Sequence, residues 1–150
     1  MIHKKLTSMP NQMLPAVYLT DWYFSKIKYP IKTKGSYFTK TEESYVYVIY
    51  NKSNMLYKIG ITTEIKNRIR SIRTVSGCEI EMVLFIQLHT NYDEEATTIE
   101  SLLHTFFKQR RKIGEWFNLD LKCLIAIKNL FWEIDGEDIK DNIKLHLKSR

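Results

Sequence analysis

Two runs near the middle of the chain have the residue types of β-strands. Residues 44–50 are almost entirely β-branched and aromatic, and residues 55–61 form a similar run that contains Gly60. The four residues between the runs, Asn51-Lys52-Ser53-Asn54, are typical of a turn. The pattern therefore predicts a β-hairpin, with Gly60 marking a bulge or a close approach of another group to the backbone.

Helical and strand periodicity alternate after this hairpin. Ile65, Ile69 and Ile72 recur at the spacing of one helix face, and apolar residues alternate through 80–88 as in a strand. A second helical pattern runs from Asp93 to about Arg111. We therefore expect a helix, a third strand and a longer helix, in that order.

The C-terminal part is predicted to contain mainly helices. Residues 113–119 indicate a short turn and strand, and Asp120 is expected to cap a helix that ends near Ile134, before Asp135-Gly136. A last amphipathic helix would use Ile139, Ile143 and Leu147, and His146 is expected at the surface. The predicted fold class is α/β (α+β), with a small mixed or antiparallel sheet that begins with a hairpin and is flanked by helices.

A length of 150 residues suits one domain with short additions. We expect an N-terminal arm over residues 1–43, a central domain over residues 44–120 and a C-terminal helical extension over residues 121–150. No apolar run approaches the roughly 20 residues of a membrane helix, and no secretory signal is expected at the start. The two cysteines are predicted to be free, buried thiols in a reducing compartment, so we expect a cytoplasmic protein.

The formal charge of +6 lies entirely in the first 41 residues, which carry seven Lys and one acid, whereas the rest of the chain is balanced. A basic arm with interleaved aromatic residues can hold a phosphate backbone and stack bases. In the alternative, Trp22, Tyr23 and Phe24 pack onto the domain and the lysines are solvated. The candidate nucleic-acid-binding cations are Lys26, Lys28, Arg70, Arg73, Lys108, Arg110, Arg111 and Lys112.

Several motifs in the central segment resemble those of a known nuclease family. Residues 45–51 and 57–62, followed by Arg68, resemble the opening of the GIY-YIG nuclease superfamily, in particular its phage and bacterial branch with Lys-Ile-Gly in the second motif. Residues 99–106 and 114–117 are similar to its later motifs. The resemblance covers about residues 44–120.

This resemblance implies a small hairpin-led sheet with flanking helices, and metal-dependent hydrolysis of a DNA phosphodiester bond. It implies that Tyr47 orients or deprotonates the attacking water and that Gly60 allows a close backbone approach. It implies further that Arg68 stabilises the phosphate charge. Glu100 would hold a divalent metal, Mg²⁺ or another cation such as Mn²⁺.

Two residues depart from the family pattern. Lys58 stands where many members carry the second-motif tyrosine, and Ile72 stands where many carry a His or Tyr. Lys58 would then help to activate water or Tyr47, whereas Ile72 cannot transfer a proton. His104 lies one helical turn after Glu100 on the same face, so it would orient this carboxylate, pair with it or contact phosphate.

The function expected from these observations is that of a Mg²⁺-dependent DNA endonuclease that uses Tyr47, Lys58, Arg68, Glu100 and His104. One alternative is a nucleic-acid-binding module on the same fold that has lost catalysis. Another is a regulatory protein that presents residues 22–24 to a protein partner. The charge does not separate DNA from RNA, and the sequence leaves open whether the protein is a monomer or a homodimer.

Overall fold

The alternating apolar residues form a six-stranded sheet in the computed structural model, which describes residues 14–27, 42–90 and 93–149. The order of strands across the sheet is β4-β5-β2-β1-β3-β6, and every neighbouring pair is antiparallel. The predicted fold class is therefore confirmed. The strands are β1 (Glu42–Asn51), β2 (Leu56–Thr62), β3 (Ile80–Thr90), β4 (Arg111–Ile113), β5 (Trp116–Phe117) and β6 (Ile139–Asp141).

Five α-helices accompany the sheet in the described residues. They are α1 (Leu19–Lys26), α2 (Ile65–Ser76), α3 (Asp93–Phe106), α4 (Leu121–Ile134) and α5 (Ile143–Ser149). The predicted cap of α4 is confirmed, because the Asp120 carboxylate accepts a hydrogen bond of 3.0 Å from the Cys123 amide. Each of these helices is too short or too polar to cross a membrane.

The two faces of the sheet are covered by different helices. The larger core contains Val46, Val48 and Ile59 together with apolar residues of α1, α3 and α4. The smaller core contains Tyr47 and Ile49 of β1 and the apolar stripe of α2. Successive strand residues point to opposite faces. Tyr47, between Val46 and Val48, therefore points to the face of the sheet that α2 covers.

Residues 14–27 of the predicted N-terminal arm pack into the larger core. Trp22 and Tyr23 are buried, with exposed fractions of 6% and 2%, and the Trp22 ring contacts that of Phe106 at a centroid distance of 5.1 Å. The structure therefore favours the alternative in which these aromatic residues pack onto the domain. The rings of Trp22 and Tyr23 are therefore not available to stack on bases, whereas Phe24 is 39% exposed.

The helix predicted from Asp93 to Arg111 ends earlier, at Phe106. A 3₁₀ turn over Lys108–Arg110 follows, and the Arg110 carbonyl accepts a hydrogen bond of 2.8 Å from the Asn118 amide. The backbone leaves the helix because it pairs with itself in a second hairpin, β4–β5, whose turn is Gly114-Glu115. The sequence pattern predicted this segment only as a turn and a strand.

The prediction of one amphipathic helix containing Ile139 and Ile143 is wrong. Ile139 belongs to β6 and pairs with Ile86 on β3, and the helix starts only at Ile143. The Asp141 side chain accepts a hydrogen bond of 2.9 Å from the Ile143 amide. The spacing of four residues fits a short strand followed by a helix as well as it fits one helix, and pairing with β3 satisfies the backbone of residues 139–141.

The prediction that His146 lies at the surface is also wrong. Its side chain is buried, Nε2 lies 2.6 Å from the Tyr57 hydroxyl, and Nδ1 donates to the Glu81 carboxylate at 2.6 Å. Glu81 also accepts a hydrogen bond of 2.6 Å from the Ser149 hydroxyl. This network joins α5 to β2 and β3, and a partly buried network of this kind is costly to disrupt.

We expect the stability of the protein to depend on the ionisation of Glu81. Burial tends to raise the pKa of Glu81, but hydrogen bonds from Ser149 and His146 and the nearby charges bring it below its usual value of 4.5. A carboxylate with a lowered pKa stabilises the folded state above its unfolded pKa, and this contribution is lost as the pH falls through the folded pKa. Glu81→Gln should therefore be less stable than the wild type at pH 7, and the difference should shrink at an acidic pH below 4.5, as the pH falls through the folded pKa of Glu81.

The measurement is the free energy of unfolding in urea at both pH values. Glu79→Gln is the matched control, because Glu79 is exposed and pairs only with Lys52, at 3.5 Å, among the described residues. This control should show little difference from the wild type at either pH. An equal loss of stability at both pH values in Glu81→Gln would contradict the role of its charge.

Candidate active site

The first site residues lie on the α2 side of the first hairpin. The antiparallel register places Tyr47 opposite Gly60 and Lys58 opposite Ile49, so both side chains occupy the same face. Helix α2 covers this face, and Nε of Arg68 donates a hydrogen bond of 3.4 Å to the Tyr47 hydroxyl. Three of the predicted site residues therefore belong to one region.

Gly60 permits the position of Tyr47. A Cβ atom at Gly60 would lie 2.5 Å from the Tyr47 hydroxyl oxygen and 2.6 Å from Cζ, which is closer than real contacts allow. The Tyr47 ring therefore lies directly over the backbone of β2, and its side chain is fully buried. The close approach predicted from Gly60 is this contact.

Lys58 forms an ion pair that sequence analysis did not anticipate. Its ammonium bonds the carboxylate of Glu115, and it lies 5.9 Å from the ring centroid of Trp116. Glu115 reaches this position because β5 pairs with β2, which places Trp116 opposite Lys58. The signal for it is the Gly114-Glu115 turn, because pairing of the strand after this turn with β2 brings the residue before Trp116 close to Lys58.

The charge of Glu115 is maintained by its surroundings. Burial tends to raise the pKa of Glu115, but the hydrogen bond and charge of Lys58, with contributions from His104 and Arg68, bring it below its usual value. Glu115 is therefore ionised at neutral pH. It balances part of the positive charge of Lys58 and Arg68.

Arg68 retains unused hydrogen-bond donors. Only its Nε is bonded to Tyr47, and no other partner of its guanidinium occurs in the described part of the chain. Its two terminal nitrogens carry four N–H groups in a planar fork that suits an oxyanion. Arg68 can therefore hold Tyr47 and bind an anion at the same time.

Glu100 lies on α3, which packs in the larger core, and it is coupled to this region by charge. Its side chain is half-buried, and within the described ranges the structure gives it no hydrogen-bond or ion-pair partner. Burial raises the pKa of Glu100 above its usual value and the charge of Glu115 adds to this effect, while His104 and Lys58 act in the opposite direction. The carboxylate is thus electrostatically coupled to Lys58 and Glu115.

His104 fixes α3 against β2. Its Nε2 donates a hydrogen bond of 2.8 Å to the Ile59 carbonyl, and its ring packs against Phe117 at a centroid distance of 5.0 Å. Because a carbonyl only accepts, Nε2 must carry the proton. His104 therefore bonds β2, and the predicted pairing of His104 with Glu100 is not found among the described residues.

The predicted cations of α2 have different environments. Arg70 is exposed and donates to the Asn67 side chain at 3.1 Å. Arg73 donates two hydrogen bonds, of 3.2 and 2.9 Å, to the Ile80 carbonyl, so it joins the end of α2 to the start of β3. Arg70 is therefore more accessible to a partner than Arg73.

The remaining predicted cations lie away from the first hairpin, and Lys28 lies outside the described residues. Lys26 is exposed, with its ammonium 5.5 Å from the Trp22 ring centroid, and Arg110 pairs with Asp120 at 3.8 Å. Three further cations are exposed and have no ion-pair partner in the described part of the chain: Lys108, Arg111 and Lys112. The 3₁₀ turn and β4 therefore present positive charge to solvent.

The fold and the site together define an α+β domain with a partly buried cationic centre, coupled by charge to a carboxylate that has no partner among the described residues. A family model, the T5orf172 domain, matches residues 44–132. The match covers more than half of the chain, so the protein belongs to the T5orf172 domain family. No curated protein and no solved structure matches it significantly. The resemblance to GIY-YIG nucleases stays a prediction from the sequence motifs.

Gly60→Ala is expected to destabilise the protein by about 1–3 kcal/mol, because the added methyl group must displace the buried Tyr47 ring. Gly136→Ala is the matched control, since its Cβ would find no atom closer than 3.5 Å. The free energies of unfolding of both variants test this contact.

A double-mutant cycle with Tyr47→Leu separates the contact from a general effect of alanine at position 60. The smaller side chain should accept the methyl group, so the two substitutions should be coupled by about 1 kcal/mol or more. Additive effects would show that Gly60 is not required by the Tyr47 ring.

Proposed function

We propose that the protein is a metal-dependent endonuclease that hydrolyses DNA phosphodiester bonds. The observation that carries this proposal is that Arg68, bonded to the Tyr47 hydroxyl, lines one groove with Lys58, and that the charge of Lys58 acts on the Glu100 carboxylate, which has no partner among the described residues. Such a set supplies a phosphate ligand, a hydroxyl near it and a metal ligand. The resemblance to GIY-YIG nucleases supports the same assignment.

Arg68 and Lys58 would bind the scissile phosphate. The terminal nitrogens of Arg68 can form two parallel hydrogen bonds to phosphate oxygens, while Lys58 adds a second positive charge. Fixed cations of this kind stabilise the negative charge that develops during phosphodiester cleavage. In this proposal the phosphate competes with Glu115 for the ammonium of Lys58.

Tyr47 is the better candidate to position the attacking water or to accept its proton. An ammonium has three donors and no acceptor, so Lys58 in its ion pair with Glu115 stabilises negative charge and does not accept a proton. The Tyr47 hydroxyl is fully buried, and Arg68 is bonded to it. Water therefore reaches this oxygen when the guanidinium shifts towards the phosphate.

Glu100 fits the role of a metal ligand. Mg²⁺ keeps several of its waters and is commonly bound by one or two carboxylates, so a single half-buried Glu without a protein partner is a suitable ligand. Bound there, Mg²⁺ or another divalent cation such as Mn²⁺ would supply Lewis-acid stabilisation of the phosphoryl oxygens. His104 would keep Glu100 in place through its bond to Ile59.

A plasmid-nicking assay tests the proposal. The wild type should cut with Mg²⁺ and not with EDTA, and Glu100→Gln should lose about 10²-fold or more in rate, because several kcal/mol of Lewis-acid stabilisation is removed. Glu133→Gln, which makes the same change at an exposed position of α4, should remain active. Equal rates in the two variants would exclude Glu100 as the metal ligand.

A second candidate is a nucleic-acid-binding module without catalysis. It is favoured by the complete burial of Tyr47 and by the ion pair that occupies Lys58. Under this alternative the wild type binds DNA with a steep salt dependence and cuts neither duplex, branched nor single-stranded DNA. The same binding measurement with RNA shows which nucleic acid the module prefers.

The two free cysteines support a cytoplasmic location in this proposal. Cys123 is buried, Cys78 is partly exposed, and no disulfide joins them. Free thiols persist where the environment is reducing. A cytoplasmic protein would also meet DNA directly.

A further inference from the structure

A groove of about 280 Å³ lies beside the proposed phosphate ligands, between α2 and β5. Lys58 and Arg68 line it together with residues that the proposed reaction does not use. Those further residues include Ser71, Ile72 and Val75 of α2 and Trp116 of β5. The groove therefore continues from the cationic centre along the surface of α2.

The walls of this groove are apolar and aromatic. The α2 wall has Ile72 and Val75, and Val75 is 85% exposed, so this wall presents apolar surface to solvent. The indole of Trp116 lines the groove from β5 and is itself only partly buried. The hydroxyl of Ser71 adds a polar group, and no partner for it occurs in the described residues.

These features match the chemistry of a nucleoside phosphate. A base is flat and apolar on its faces and carries hydrogen-bonding groups at its edge, and its phosphate needs cations within a few ångströms. Aromatic side chains next to cations are the usual means of binding unpaired bases. The volume of this groove is just below the usual range for small-molecule pockets. It is large enough for one nucleoside and too small for two or more nucleotides of a nucleic-acid strand.

We propose that the groove between α2 and β5 is a subsite for one nucleobase, adjacent to the phosphate held by Lys58 and Arg68. The base lies between Trp116 and the aliphatic wall formed by Ile72 and Val75, and Ser71 bonds its edge. This subsite rests on the proposed function, because that function places the phosphate at Lys58 and Arg68. It gives Ile72 and Trp116 roles in substrate binding.

Binding of the four deoxynucleoside 5′-monophosphates in EDTA tests the subsite without any cleavage. Their dissociation constants are compared with those of 2-deoxyribose 5-phosphate and inorganic phosphate, by NMR titration of the wild-type protein. At least one nucleotide should bind about tenfold or more tightly than the sugar phosphate, as base stacking on an aromatic residue implies. The indole signal of Trp116, assigned with Trp116→Phe, should shift further with the nucleotide than with the sugar phosphate, whose phosphate acts on Trp116 only through Lys58.

Ser71→Trp should fill the groove and reduce nucleotide binding to the level of the sugar phosphate, while phosphate binding persists. Thr74→Trp is the matched control, because Thr74 is exposed on the same helix and does not line the groove. Both positions are exposed, so both variants should fold. A nucleotide preference that survives in Ser71→Trp would overturn the proposal, as would equal affinities of nucleotide and sugar phosphate in the wild type.

The nucleotide-binding experiment and the nicking assay test the subsite and the nuclease activity separately. A protein that cuts DNA but shows no preference for nucleotide over sugar phosphate would retain the proposed function and lose the subsite. A protein that prefers the nucleotide in this groove but never cuts would retain the subsite and lose the nuclease assignment.

Discussion

The contact between the Tyr47 ring and the backbone of β2 at Gly60 is the constraint on which the candidate site depends. Because position 60 has no side chain, the ring can lie over the neighbouring strand with its hydroxyl directed at Arg68. Helix α2 can then pack its isoleucine stripe beside the ring, which sets the position of Arg68. A larger residue at 60 would displace the tyrosine, and with it the hydrogen-bond partner of the guanidinium.

The second half of the site follows from the short length of β5. This strand pairs with β2 only at Tyr57 and Lys58, so the Ile59 carbonyl has no strand partner on that side. His104 donates to this carbonyl, and α3 is held at the edge of the sheet with Glu100 one turn away. Along β2, Tyr57 and Lys58 therefore pair with β5, and the following residue, Ile59, bonds to α3 through His104.

The local parts of this arrangement could be predicted from the sequence, and the long-range parts could not. Apolar spacing identified the first hairpin, α2 and α4, because each is determined by contacts between near neighbours in the chain. The strand β6 and the burial of His146 depend on pairing with β3 and on Tyr57 and Glu81, which are distant in sequence. Of the site, the positions of Tyr47 and Gly60 follow from the hairpin register. The partner of Lys58 depends on a second hairpin, for which the sequence predicted a turn and a strand but not the pairing with β2.

The ion pair of Lys58 and Glu115 accounts physically for a lysine at a position where the resembling family often has tyrosine. The Lys58 side chain is only 11% exposed and lies near Arg68, so without a counter-ion its charge would be poorly solvated and repelled. Glu115, 57 positions later, supplies that counter-ion at the point where a substrate phosphate would supply it in the complex. The lysine at position 58, in place of the family's tyrosine, and the glutamate in the turn of the second hairpin therefore depend on each other. In the proposed function, part of the positive charge is balanced by Glu115 while the site is empty, and the phosphate replaces Glu115 at Lys58 when the substrate binds.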